Sequence, residues 1–173
     1  CSLICASGFN RNGLHLVVLP RKSRKLAEFI GICLGDGCAW GYQATVTLNS
    51  IADKDYIPYV EKLAKELFKG VTISINRRKD KAVDIRVNSK MVVEFLKSMG
   101  IISNHKIVPQ WIKSRPVYTY ACIRGLFDTE GSISFKRYQT KKGISLYRQL
   151  NFRGADIVYF DVAEEARQEF ADT

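Results

Sequence analysis

Two stretches of this chain repeat one design. Residues 26–37 read LAEFIGICLGDG, and residues 120–131 read YACIRGLFDTEG. Each is an apolar run of helical character, with a glycine inside it and an acid–glycine pair at its end. Each sets small residues four apart, Gly31/Gly35 in the first and Gly125/Thr129 in the second. At that spacing they share one helix face, along which two helices can approach until their backbones touch. The closing acids, Asp36 and Glu130, then stand at helix C-termini, where the helix dipole is already negative. A single acid so placed is an ordinary helix end. Two in matching positions call for a compensating charge, and a divalent cation between the helix ends supplies it.

The chain around these runs reads as two units built alike. Residues 14–19 form a short apolar strand stopped by Pro20, and residues 21–25 are a basic connector in which Ser23 caps the first motif helix. Gly37 stops that helix. Gln43–Asn49 alternates, with Ala44, Val46 and Leu48 on one face and Gln43, Thr45, Thr47 and Asn49 on the other. An amphipathic helix over residues 53–68 follows, ended by Gly70. Residues 71–79 and 82–89 form a hairpin across Asp80 and Lys81. Its inward residues are Val71, Ile73, Ile75, Val83, Ile85 and Val87; Thr72, Ser74, Asn76, Arg78, Asp84, Arg86 and Asn88 point outward. A helix over 91–99, stopped by Gly100, completes the unit.

The second unit begins the same way. After its motif helix come a strand over 132–138, a basic turn at 141–143 and a strand over 146–153. Ser132, Ser134, Lys136 and Tyr138 share one face of the first of these strands. Tyr147, Gln149, Asn151 and Arg153 share one face of the next. Ala155, Asp156 and Tyr159 echo Ala52, Asp53 and Tyr56, as the start of a matching helix. The division expected is a leader strand and connector over 1–25, a first repeat over 26–104, and a linker with a second, incomplete repeat over 105–173. The stretch from Gly37 to Lys106 is longer than all that follows Gly131, so the second repeat is expected to lack its last two strands and final helix. Its sheet is expected to end in an open edge over an uncovered core.

Lys and Arg total 27 against 17 acids, a net charge of +10. That excess predicts a polyanionic partner. No run reaches membrane-spanning length and no signal peptide opens the chain, so nucleic acid is expected rather than a membrane. The outward strand residues suit a DNA major groove, which a two-stranded ribbon fits. Arg and Lys pair with guanine edges there, and Asn and Gln with adenine edges. Lysines and arginines of the turns, such as Arg77, Lys79, Lys81, Lys141 and Lys142, would hold phosphates. Five cysteines, an odd number without a CxxC pair, fit a reducing intracellular setting, with Cys33 and Cys122 as buried free thiols. Cys1 invites comparison with an intein splice junction, but the residues after it do not resemble that block and the chain lacks a closing His-Asn.

Phe29–Gly37 and Ile123–Gly131 resemble the signature helix of the LAGLIDADG homing endonucleases. The first copy has Leu34 where an acid often stands; the second keeps Asp128. Residues 104–112, NHKIVPQWI, are similar to the lysine-bearing block that precedes the second helix in two-motif members. The likeness runs from about Val18 to Thr173. It implies an α/β fold of pseudo-twofold αββαββα repeats with antiparallel, saddle-shaped sheets, in a monomer that straddles double-stranded DNA. It implies Asp36 and Glu130 as metal ligands and catalytic acids for Mg²⁺, with the backbone carbonyls of Gly35 and Thr129 beside them. Lys106 corresponds to the lysine near the cleavage centre. The activity implied is site-specific, staggered double-strand cleavage by phosphodiester hydrolysis, in intron or intein homing. An RNA-splicing maturase that holds intron RNA, or a cleavage-inactive DNA-binding protein, could be built on the same scaffold.

Overall fold

The structure, a computed structural model, describes residues 17–102, 105–140 and 143–152. It is a mixed α/β chain with antiparallel sheets. The first motif helix, α1, spans Arg24–Asp36. The Ser23 hydroxyl accepts from the Leu26 amide at 3.2 Å, the cap expected of it. Strands β1 (Gly37–Trp40) and β2 (Gln43–Asn49) follow, then helix α2 (Ile57–Leu67), strands β3 (Ile73–Arg77) and β4 (Ala82–Asn88), and helix α3 (Lys90–Ser98). That is one αββαββα unit. A two-residue hairpin, β5 (Ile101–Ile102) with β6 (His105–Lys106), and the short helix α4 (Gln110–Lys113) lead to the second motif helix, α5 (Pro116–Glu130). Strands β7 (Gly131–Thr140) and β8 (Gly143–Phe152) close the described chain.

The first sheet has the order β1-β2-β4-β3, antiparallel throughout. Its inner face carries Ala44, Val46, Leu48, Val83, Ile85 and Val87, all buried. They pack with Val60, Leu63 and Ala64 of α2 and Val92, Val93 and Leu96 of α3 in one core. Helix α1 runs through this core, buried from Leu26 to Leu34 with Glu28 as the one acid in that span, which is why its apolar residues are not confined to one stripe. Phe29 meets Phe68 edge-on at 5.3 Å.

Several boundaries differ from those the sequence pattern implies. Helix α2 begins at Ile57 rather than 53, because the Asp53 carboxylate is taken up by the turn before it and accepts from the Asn49 amide at 2.7 Å. Pro58 then occupies the first turn, where its missing N–H costs nothing. Strand β1 has no counterpart in the sequence pattern. Strand β3 is an edge strand and shorter than its alternation implies, so the inward-facing Ile75 keeps 36% of its surface exposed. Gly37 and Gly131 end the motif helices, but with extended backbones and not in the left-handed cap conformation. Glycine is required there by contact: a Cβ on Gly37 would lie 2.4 Å from the Cys33 Cα, and one on Gly131 would lie 2.5 Å from the Phe127 carbonyl oxygen.

In the second unit β7 and β8 are longer than expected and pair antiparallel. Ser132 faces Asn151, Ser134 faces Gln149 and Lys136 faces Tyr147. Arg153, Lys141, Lys142, the expected helix start at Ala155, Asp156 and Tyr159, and the first half of the expected strand over 14–19 lie outside the described residues; in its second half, Val18 bridges to Lys69. No helix among the described residues is long and apolar enough to cross a membrane.

Candidate active site and nucleic-acid face

The motif helices touch backbone to backbone. A Cβ on Gly31 would stand 2.0 Å from the Cys122 carbonyl oxygen and 3.0 Å from the Leu126 nitrogen. One on Gly125 would stand 2.2 Å from the Glu28 carbonyl oxygen and 3.0 Å from the Ile32 nitrogen. These are corresponding positions of the two runs, so the contact is symmetric about the helix pair. One turn further on, a Cβ on Gly35 would meet the Thr129 hydroxyl at 2.1 Å and the Glu130 Cγ at 3.0 Å. Rising numbers on α1 therefore oppose rising numbers on α5. The helices run parallel, and their C-terminal acids arrive at one place.

Asp36, Glu130, Gly35 and Thr129 are all half-buried there. Burial pushes the Asp36 carboxyl up to about 6, and the charges of Glu130 and Asp53 push the same way against the opposing Lys106. The β5–β6 hairpin carries Lys106 to this point. Its Nζ donates to the Gly35 carbonyl at 2.8 Å and to the Leu34 carbonyl at 3.1 Å, which satisfies the open end of α1. The structure thus brings Asp36, Glu130, Gly35, Thr129 and Lys106 together. Two carboxylates that repel each other at one shared helix end form an all-oxygen donor set of the kind a hard divalent cation takes.

One flank of the helix pair is polar and the other is not. Glu28, 5% exposed, accepts from the Tyr59 hydroxyl at 2.5 Å and lies 3.6 Å from the Arg124 Nε. Arg124 also reaches Asp128 at 3.9 Å and lies over the Tyr59 ring at 5.8 Å. The corresponding positions on the other helix are Cys122, Ile30 and Leu34. Cys33 and Cys122 are buried free thiols, as expected, and burial pushes both up to about 12.

The outer face of the first sheet is ordered in rows across its strands. Gln43 donates to the Asn88 side chain at 2.7 Å, and Asn88 donates to the Ser74 hydroxyl at 3.2 Å. Thr45, Arg86 and Ser74 lie opposite one another in the ladder, as do Thr47, Asp84 and Asn76. Asp84 corrects the sequence reading. It points outward but is only 4% exposed, because it accepts from Thr47 at 3.0 Å and from Arg86 at 2.7 Å, with Arg78 at 3.7 Å. It cannot reach a partner directly; it orients two arginines that can. Burial acts to raise its pKa, but bonds from Arg86, Thr47 and Asn76 and the charge of Arg78 together hold it below the usual value.

Sequence reasoning missed β1, which adds Cys38 beside Thr45 and Trp40 beside Gln43 to this face. Trp40 is 75% exposed, and Tyr42 in the following turn is 71% exposed. A large aromatic next to a glycine turn was the available signal. Asp53 falls within a helical pattern, and only the fold brings its charge to Asp36.

No protein-family model matches the chain. The chain is 33% identical over 135 residues to a DNA polymerase of Thermococcus hydrothermalis, a match that covers 74% of this chain and 8% of that protein. It is 29% identical over 141 residues to the replication factor C small subunit of Methanocaldococcus jannaschii, covering 79% and 7%. The chain therefore spans less than a tenth of the curated relatives it matches. Among solved structures it is similar to the homing endonuclease I-DmoI in complex with DNA and Ca, at 16% identity and a TM-score of 0.46, covering 75% of this chain and 83% of that one.

Proposed function

We propose that this chain is a LAGLIDADG-type homing endonuclease, which binds a long duplex site and cuts both strands with a stagger. The observation that carries the reading is the convergence of Asp36, Glu130 and Lys106 at the shared end of two helices in backbone contact. A catalytic cluster of this kind is held in place by packing rather than by loops, as precise chemistry demands.

Asp36 and Glu130 would hold a divalent cation, Mg²⁺ in the first instance, with the Gly35 and Thr129 carbonyls at hand. Among the described residues no third His, Cys, Asp or Glu joins them, so the rest of the shell falls to backbone, water and phosphate oxygens. When bound, the cation neutralises phosphoryl oxygens and lowers the pKa of a water. The protein does the rest. The outer sheet face lays the duplex in register, with Gln43, Thr45, Thr47, Asn49, Thr72, Ser74, Asn76, Arg78, Arg86 and Asn88 toward one half-site. In the second repeat Ser132, Ser134, Lys136, Tyr138, Tyr147, Gln149, Asn151 and Arg153 would serve the other. The Lys106 ammonium, already held at the helix end, brings positive charge to the scissile phosphate. The apolar helix interface below excludes water from the rear of the site.

The test is selection of bound sequences from a randomised duplex library, followed by Mg²⁺-dependent cleavage of the selected DNA. Staggered cuts that vanish in Asp36→Asn and Glu130→Gln, with binding retained, are expected. Full cutting by either variant would remove the proposed role of the acids.

A further inference from the structure

The helix pair is charged against its dipoles at both ends. Arg24 and Lys25 open α1, and Arg115 stands immediately before α5, where the dipole is already positive. Because the helices run parallel, these residues gather on one face. The structure ties that face together through a ladder of cations and rings. Lys22 Nζ lies 6.0 Å from the Trp111 ring, Trp111 meets Tyr118 edge-on at 5.2 Å, and the Arg115 guanidinium lies 6.0 Å from the Tyr118 ring. The ladder brings the N-terminal connector against the start of the second repeat, and with it Arg21, Arg24 and Lys113, all exposed. Among the described residues the acid paired with this group is Glu66, at 2.7 Å from Lys25. Beside the cations, α5 exposes Val117 at 49% and Tyr120 at 54%.

From Arg24 to Asp36 the helix rise of 1.5 Å per residue sets these charges about 18 Å from the acidic pair. The sheet begins at the acidic end, with β1 following α1 directly, so the cations stand at the far end of the helix from that junction. Arg21, Arg24 and Lys113, in no ion pair among the described residues, fit phosphates, and the aromatic rings of the ladder beside them fit unstacked bases. We propose that this face is a second, sequence-independent site for single-stranded nucleic acid, separate from the sheet face and independent of the cleavage reading.

The test uses the whole chain and labelled 20-mers of oligo(U) and oligo(dU), with a mixed-sequence duplex for comparison. Arg21→Glu, Arg24→Glu and Lys113→Glu are combined; none of the three belongs to the ladder or to an ion pair among the described residues. Circular dichroism checks the fold. The triple variant is expected to lose about tenfold or more in oligonucleotide affinity at moderate salt. Its dependence on salt should flatten by about 2 in the log–log slope, at roughly 0.7 for each phosphate no longer neutralised. Duplex binding should stay as it was. A preference between the two oligonucleotides assigns the sugar, and either preference supports the site. Unchanged affinity in the triple variant overturns the proposal. So does an equal loss of oligonucleotide binding in Arg86→Ala, which would place both ligands on the sheet. Equally tight binding of polyglutamate at matched charge would reassign the face to an acidic protein surface. A chain that binds oligonucleotides here yet never cuts DNA refutes the nuclease reading and leaves this one standing.

Discussion

Replacing Asp36 by asparagine should make the metal-free protein more stable. The Asp36 carboxyl is raised from an ordinary 3.8 to about 6, first by burial and then by Glu130 and Asp53. At 1.36 kcal/mol per unit the rise of about two units sets a ceiling near 3 kcal/mol. The group is half-buried, so solvent screening brings the expected gain to about 1.5 kcal/mol. For a chain of this size that is about 3–6 °C in Tm. The sign follows from linkage. The folded state holds this proton more tightly than the unfolded state, so the stability it confers is full below about pH 4 and lost as pH rises through about 6. The gap between Asp36→Asn and the parent should therefore be absent near pH 4, open between pH 4 and 6, and stay constant above. Thermal melts in EDTA at pH 4.5 and pH 8 measure it. Millimolar Mg²⁺ or Ca²⁺ should then stabilise the parent alone, which narrows or inverts the gap. An asparagine variant that melts below the parent at pH 8 in EDTA refutes the account of Asp36 as a strained acid.

Gly125→Ala puts a methyl group 2.2 Å from the Glu28 carbonyl oxygen. It should cost about 3 kcal/mol or more by forcing the helices apart, seen as a large drop in urea midpoint; a loss under about 1 kcal/mol would contradict the backbone contact. Tyr59→Phe leaves the buried Glu28 carboxylate with only the 3.6 Å contact to Arg124 among the described residues. A loss of about 1–3 kcal/mol is expected in urea unfolding. Lys106→Met removes the charge that lowers Asp36, so carboxyl NMR titration should find Asp36 above its parent value; a fall would show that Lys106 does not face it. Arg86→Ala takes the 2.7 Å bond from buried Asp84, which keeps Thr47 and Arg78, and should weaken duplex binding while lowering stability, read by anisotropy and by melting.

Much of the centre was legible because its signals are local and repeated. Small residues four apart on Gly31/Gly35 and Gly125/Thr129 specify a close helix crossing whatever surrounds them. The acids travel with the helices that end in them. Strict alternation in Gln43–Asn49 and Ala82–Asn88 likewise set the inner and outer faces, whereas the register of β7 on β8 comes from the structure alone. What escaped the sequence depends on partners far along the chain. Asp84 counts as an outward acid until Arg78, Arg86 and Thr47 close over it. Asp53 is a helix former by pattern, but its carboxylate serves the Asn49 turn. Strand β1 is four residues long, too short for alternation to declare itself. Glu28 has nothing in its neighbourhood of sequence to mark it as the anchor of Tyr59 and Arg124.

Gly37 has a consequence for fidelity. It joins α1 to β1 with no intervening loop, so the carboxylate at Asp36 and the first side chain on the outer sheet face, Cys38, are two residues apart. The glycine is wedged against Cys33 and leaves no slack to absorb displacement. On the proposed reading, a duplex that seats badly on the strands would tilt them and carry that tilt to the carboxylate. Proofreading of this kind needs no moving part: a mismatched target would be penalised in turnover beyond its penalty in affinity.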